Sequence, residues 1–124
     1  MKAFVIPAIA AASLLSACAT ATAPADYRPT ATEFTGYIVF NEEEFQLYPR
    51  EAQIRTPFSR PCLSGALPLN QQRAARQDLP GQKVTISGRT AAWAGRTITH
   101  EGVDIRNTCG GPFVLLGDDV TVLR

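Results

Sequence analysis

Residues 82 to 93 carry the clearest alternation in the chain, and it constrains the fold more than any other feature. Val84, Ile86 and Gly88 fall on one face of an extended segment and Thr85, Ser87 and Arg89 on the other, because side chains along a strand alternate with a period of two. This pattern predicts a half-buried strand from Gln82 to Trp93.

Other segments repeat the theme. Phe34 to Phe40 is rich in β-branched and aromatic residues, and in Glu44 to Tyr48 the apolar Phe45 and Leu47 alternate with Glu44 and Gln46. The short polar Asn41-Glu42-Glu43 between them suits a tight reversal, so the two form a predicted hairpin, with Glu42, Glu43 and Glu44 as a solvated turn. From Pro49 to Leu69 the signal is poor, since Pro57, Pro61 and Pro68 interrupt any regular ladder, although a strand around Ile54 fits. Asn70 is placed to cap a short helix running to Asp78, which Pro80-Gly81 ends. Ala94-Gly95 turns the chain into Thr97 to His100, and Val103 with Ile105 begins another strand. After the break at Gly110-Gly111-Pro112, Phe113 to Leu116 is extended. Gly117-Asp118 reads as a type II′ hairpin turn into Val120 to Leu123.

The expected fold class is therefore mainly β. The order strand, strand, possible strand, helix, strand, strand resembles the OB-fold, in which a small closed sheet removes exposed edges. The C-terminal hairpin departs from that five-strand plan, and an antiparallel sandwich with one short helix is the other architecture the pattern allows.

The first 18 residues set the address. Lys2 is followed by the apolar stretch Ala3 to Leu15 and then by Ser16, Ala17 and Cys18, the layout of an export signal. The stretch has about 13 residues where a membrane-spanning helix needs about 20, and it contains Pro7. Leu15-Ser16-Ala17-Cys18 resembles the bacterial lipobox. That resemblance implies a cleaved signal peptide (1–17), an acylated Cys18 and a lipid-anchored protein of the bacterial cell envelope. Ala19, where enteric lipoproteins retained in the inner membrane tend to have aspartate, turns the expectation toward the outer membrane and its periplasmic face. Residues 18–32, mostly Ala, Thr and Pro, read as a flexible tether, leaving 33–124 as one small domain.

A domain of this size has little hydrophobic surface to bury, so a covalent staple matters. With Cys18 assigned to lipid, Cys62 and Cys109 remain as a pair in an oxidising compartment and are expected to form a disulfide. A redox or metal role is the alternative, but the chain has no Cys-x-x-Cys. Loss of Lys2 with the signal brings Lys and Arg down to the same number as Asp and Glu, 11. The arginines are scattered, so no nucleic-acid partner is expected.

The chemistry-bearing residues are few. His100 is the single histidine; a relay with Glu101 is one reading and a surface loop histidine the commoner one. Asp118 and Asp119 beside Gly117 lack the alternating oxygen ligands of a calcium loop, and a turn explains them. Cys109-Gly110-Gly111-Pro112 has no phosphate-loop spacing and reads as a bend. Neither metal nor cofactor is expected. Tyr37, Tyr48, Trp93 and Arg89 are the candidates for a binding face, although aromatics in so small a domain are commonly core. The function expected is non-enzymatic binding of an envelope protein or surface ligand. The alternatives are an OB-like module capturing a small ligand or oligosaccharide and, more remotely, a small enzyme using His100.

Overall fold

The computed structural model describes residues 27–124; the signal peptide, Cys18 and residues 19–26 of the expected tether lie outside the described residues. Strand β1 (Glu33–Asn41) turns through Glu42, at φ 58°, into β2 (Glu44–Tyr48). The two pair antiparallel from Tyr37↔Tyr48 to Asn41↔Glu44, so the hairpin stands. Its turn is shorter than expected: Glu44 is the first residue of β2 and is fully buried, so it is not part of a solvated turn.

The segment around Ile54 is a short 3-10 helix, Glu51–Arg55, rather than a strand. Gln53 explains the difference. Its backbone N–H donates to Arg50 O (3.0 Å) and its side-chain Oε1 accepts the Arg50 N–H (3.0 Å), so local bonds satisfy the backbone where a ladder would otherwise do so. Strand β3 (Leu63–Ala66) follows. Helix α1 (Leu69–Asp78) begins one residue before Asn70, and no side chain caps it. Tertiary contacts replace the expected cap: Leu69 N–H donates to Glu101 O (3.0 Å), and Gln72 Oε1 accepts the Leu67 N–H (3.0 Å).

Strands β4 (Lys83–Ala92), β5 (Ile98–His100), β6 (Val103–Ile105) and β7 (Phe113–Val122) complete the chain. β7 runs straight through Gly117-Asp118, so the expected C-terminal hairpin does not form. Ser87 pairs with Asp119 but Gly88 pairs with Gly117, leaving Asp118 as the extra residue of a bulge. Gly88 permits it: a side chain there would collide with Leu116 O and would stand 2.9 Å from Gly117 Cα. A bulge at this point sharpens the local twist of the strand as the sheet closes.

β1, β2, β3, β7 and β4 form a closed barrel in that order, with β1 and β4 pairing to complete it. All its pairings are antiparallel except β3 with β7, which is parallel at Gly65↔Leu115 and Ala66↔Leu116. The antiparallel sandwich is thereby replaced by a mixed barrel. Its helix lies between the third and fourth barrel strands in chain order, an arrangement compatible with an OB-like plan.

Because successive side chains of a strand point to opposite faces, the barrel supports two cores. Phe34, Ile38, Phe45, Leu47, Leu63, Val84, Ile86 and Leu115 fill its interior, with Ala75 and Leu79 of the α1 end against them. Ala66, Val114 and Leu116 form a second, smaller core with Val103 and Ile105 of the β5–β6 hairpin, joined by Leu69, Trp93 and Ile98. That hairpin pairs only with itself among the described strands, from Ile98↔Ile105 to His100↔Val103.

The packed body begins before residue 33. Tyr27 OH donates to Thr35 O (2.9 Å), its ring lies 6.1 Å from that of Phe34, and Ala31 packs against the interior core. Gly88 N–H donates to Thr32 O and Thr90 Oγ1–H to Pro29 O. Residues 27–32 therefore belong to the domain.

Candidate functional site

In barrels of OB-like plan, the outward face of the second and third strands and the loops beside it are where ligands dock. Here that face is occupied by the chain itself. Every residue of β2 and of β3 is buried. Phe45 and Leu47 point into the barrel, which puts Glu44, Gln46 and Tyr48 on the opposite face.

Glu44 is the centre of what covers it. Its Oε1 accepts the backbone N–H groups of Arg106 (2.6 Å) and Asn107 (3.0 Å). Its Oε2 accepts the Thr108 N–H (2.9 Å), the Thr108 Oγ1–H (2.7 Å) and a longer bond from Gln46 Nε2 (3.3 Å). Three successive amides converge on one carboxylate as they would in a backbone anion nest, helped by the left-handed φ of 60° at Asn107. Gln46 Nε2 also donates to Thr108 Oγ1 (2.9 Å), and Cys109 N–H donates to Ser64 Oγ on β3 (2.9 Å). Cys62 and Cys109 stand at disulfide distance, their Cα atoms 5.5 Å apart.

Taking a carboxylate out of water costs several kcal/mol, and charge-assisted hydrogen bonds return about 1.5–3 kcal/mol each. With four short donors, Glu44 is compensated without a cation. The Arg106 guanidinium goes elsewhere, 3.8 Å from Glu42 Oε1 on the open surface. Glu44 thus fastens the 106–108 loop to β2 and is closed off from any incoming molecule.

His100 is similarly engaged. It is buried, and its Nε2–H donates to Gly117 O at 2.7 Å across the β7 bulge. The bond found for its ring is thus to β7, while the neighbouring Glu101 is exposed in the turn at φ 49°.

The four residues expected to form a binding face do not gather. Tyr48 is fully buried, with its hydroxyl accepting the Phe58 N–H (2.8 Å), and is a structural residue. Tyr37 is half-buried beside Lys83, whose Nζ lies 5.9 Å from the ring centre. Trp93 is half-buried in the second core, and Arg89 is exposed in mid-β4. Tyr37 pairs with Lys83 at the start of β4, and Trp93 lies ten residues further along, a distance of about 30 Å on an extended strand.

Two other surface features bear on binding. A groove of about 430 Å³ opens between the β1–β2 turn, α1 and the β5–β6 turn, lined among others by Glu42, Glu43, Arg73 and Arg76; its charges are mixed. The other is the loop after the 3-10 helix, where Phe58 stands 41% exposed. Among the described residues, no three His, Cys, Asp or Glu side chains are grouped to hold a metal ion.

Comparison with family models, with curated proteins and with solved structures finds no match for this chain.

Proposed function

We propose that the chain is an envelope lipoprotein, held by an acylated Cys18 at the periplasmic face of the outer membrane, whose barrel binds an envelope protein or surface ligand without chemical turnover. The anchoring half rests on Leu15-Ser16-Ala17-Cys18. The binding half is supported by one observation above all: the buried ionisable groups are committed to holding the fold. Glu44 is enclosed by the 106–108 amides, and His100 spends its Nε2–H on Gly117 O. A general acid or base must reach the proton it moves, and Glu44 is out of reach.

Capture of a small ligand or oligosaccharide on the outward face of β2 and β3 is less well supported, because residues 103–109 fill that face.

Intact mass of the membrane-extracted protein, beside a Cys18→Ala variant, tests the anchoring half. The expected mass lacks residues 1–17 and carries acyl chains, and the variant carries no acyl chain. An unlipidated wild-type chain in the soluble fraction overturns it. Substrate turnover that His100→Ala abolishes would overturn the binding half.

A further inference from the structure

We infer that the loop 55–60, with Phe58 at its tip, is a docking surface for a bilayer bearing anionic phospholipid.

Phe58 and Leu123 are the large apolar side chains that stand exposed among the described residues, and Leu123 directly follows β7. Phe58 is displayed by construction. Its φ is 62°, a region that bulky residues avoid and that persists only where surrounding structure imposes it. The imposing contacts are present: Tyr48 OH accepts the Phe58 N–H, Ser59 N–H donates to Thr56 O (3.1 Å), and Gln53 Nε2 donates to Pro61 O (2.9 Å). Tyr48 and Gln53 are both buried, so the loop is bolted to the core with its aromatic ring facing solvent.

The surroundings of Phe58 identify the occupant. Pro57 beside it is exposed, and so are Arg55 and Arg60 on either side. In residues 49–61 the single carboxylate is Glu51. An exposed aromatic tip on a loop that carries exposed arginines matches a lipid interface, where the ring enters the boundary between headgroups and acyl chains while an arginine binds phosphate; of the two, the Arg60 guanidinium lies toward Gly110. A protein hot spot would call for a broader, ringed contact patch, and this loop presents a single aromatic residue and a proline.

The chain's attachment point agrees. A side chain at Gly36 would collide with both the Tyr27 hydroxyl and Tyr48 O, so the Tyr27 hydroxyl lies close to the backbone of Tyr48, whose own hydroxyl holds Phe58. The nine Cα steps from Cys18 to Tyr27 span at most about 32 Å. This step rests on the lipoprotein reading: an acylated Cys18 keeps Tyr27 within that distance of the bilayer.

The test uses the full chain carrying Cys18→Ala, so that no acyl chain hides the contribution of the loop, sedimented with vesicles of phosphatidylcholine alone or with 30 mol% phosphatidylglycerol. Further variants are Phe58→Asn, which tolerates the left-handed conformation, and the surface pair Arg55→Gln/Arg60→Gln. The apolar stretch Ala3 to Leu15 is common to all and cancels. Expected are binding at least tenfold tighter to the anionic vesicles, loss of at least fivefold in either loop variant at unchanged Tm, and collapse of the difference in 0.5 M NaCl. Equal binding of the loop variants, or indifference to phosphatidylglycerol, overturns the proposal. So does loss in those variants of a cross-link to a protein while vesicle binding persists. None of these readouts depends on lipidation, so the loop and the anchor succeed or fail separately.

Discussion

Glu44 and Thr108 are joined twice through one carboxylate oxygen: Oε2 accepts both the backbone N–H of Thr108 (2.9 Å) and its hydroxyl (2.7 Å). The two residues are 64 positions apart in the chain, and this contact draws the strand-free segment after β6 onto the outward face of β2. Glu44→Gln keeps the shape but turns an N–H₂ group toward amides that need an acceptor. Leaving a buried donor unpaired costs about 1–3 kcal/mol, and more than one is affected. We expect Glu44→Gln to lower stability by about 3 kcal/mol in urea titration, whereas Glu42→Gln, which removes only the exposed contact with Arg106, changes it by less than about 0.5 kcal/mol.

The Cys62–Cys109 pair closes the same loop from its other end. A bridge across 47 residues stabilises by about 4 kcal/mol through the loop entropy it removes from the unfolded chain. The Cys62→Ser/Cys109→Ser variant should therefore melt at least about 15 °C lower than the wild type. Thiol titration of the unfolded, unreduced wild-type chain should find neither cysteine free.

Gly88 tests the bulge. A methyl group there meets backbone from Leu116 and Gly117, which cannot yield as a side chain can, and overpacking of this kind costs about 1–3 kcal/mol. Gly88→Ala should lose about 2 kcal/mol by thermal or urea denaturation. Gly111→Ala, whose new methyl group would lie 3.7 Å from Phe113 O, should be close to neutral.

Strands whose two faces differ were legible in the sequence. β1, β4 and the β5–β6 hairpin follow from alternation and turn residues, because burial on one side imposes a period of two; β2 alternates apolar with polar residues although both its faces are buried. β3 gave no such signal: both its faces are buried, and it is four residues long with Gly65 inside it. That glycine lets the parallel β7 approach, since a side chain would stand 2.5 Å from Leu115 O and 2.8 Å from the Phe45 ring. Gly117 misled for a related reason. Beside two aspartates it resembles a turn, yet it serves a bulge whose partner, Gly88, is 29 residues earlier.

The candidate site was less legible. Glu44 and Gln46 alternate with Phe45 and Leu47, and alternation alone assigns them to solvent. Their burial depends on a loop more than 60 residues away, which no local pattern reports. Tyr48 could be read as surface or core, and its full burial settles which. Phe58 itself gave no sequence signal, since its exposure follows from a left-handed backbone held by Tyr48 and Gln53.

The central claim is that residues 106–109 form a fixed cover over β2 and β3. Amide hydrogen exchange on the intact chain tests it most directly, because the amides of Arg106, Asn107 and Thr108 are held by Glu44 and that of Cys109 by Ser64 Oγ. We expect these four to exchange as slowly as the paired amides of β2 and at least a hundredfold more slowly than the exposed Arg96 and Thr97. Exchange of Arg106 to Cys109 at the rate of that exposed turn would contradict the account and leave the outward face of the barrel open to a ligand.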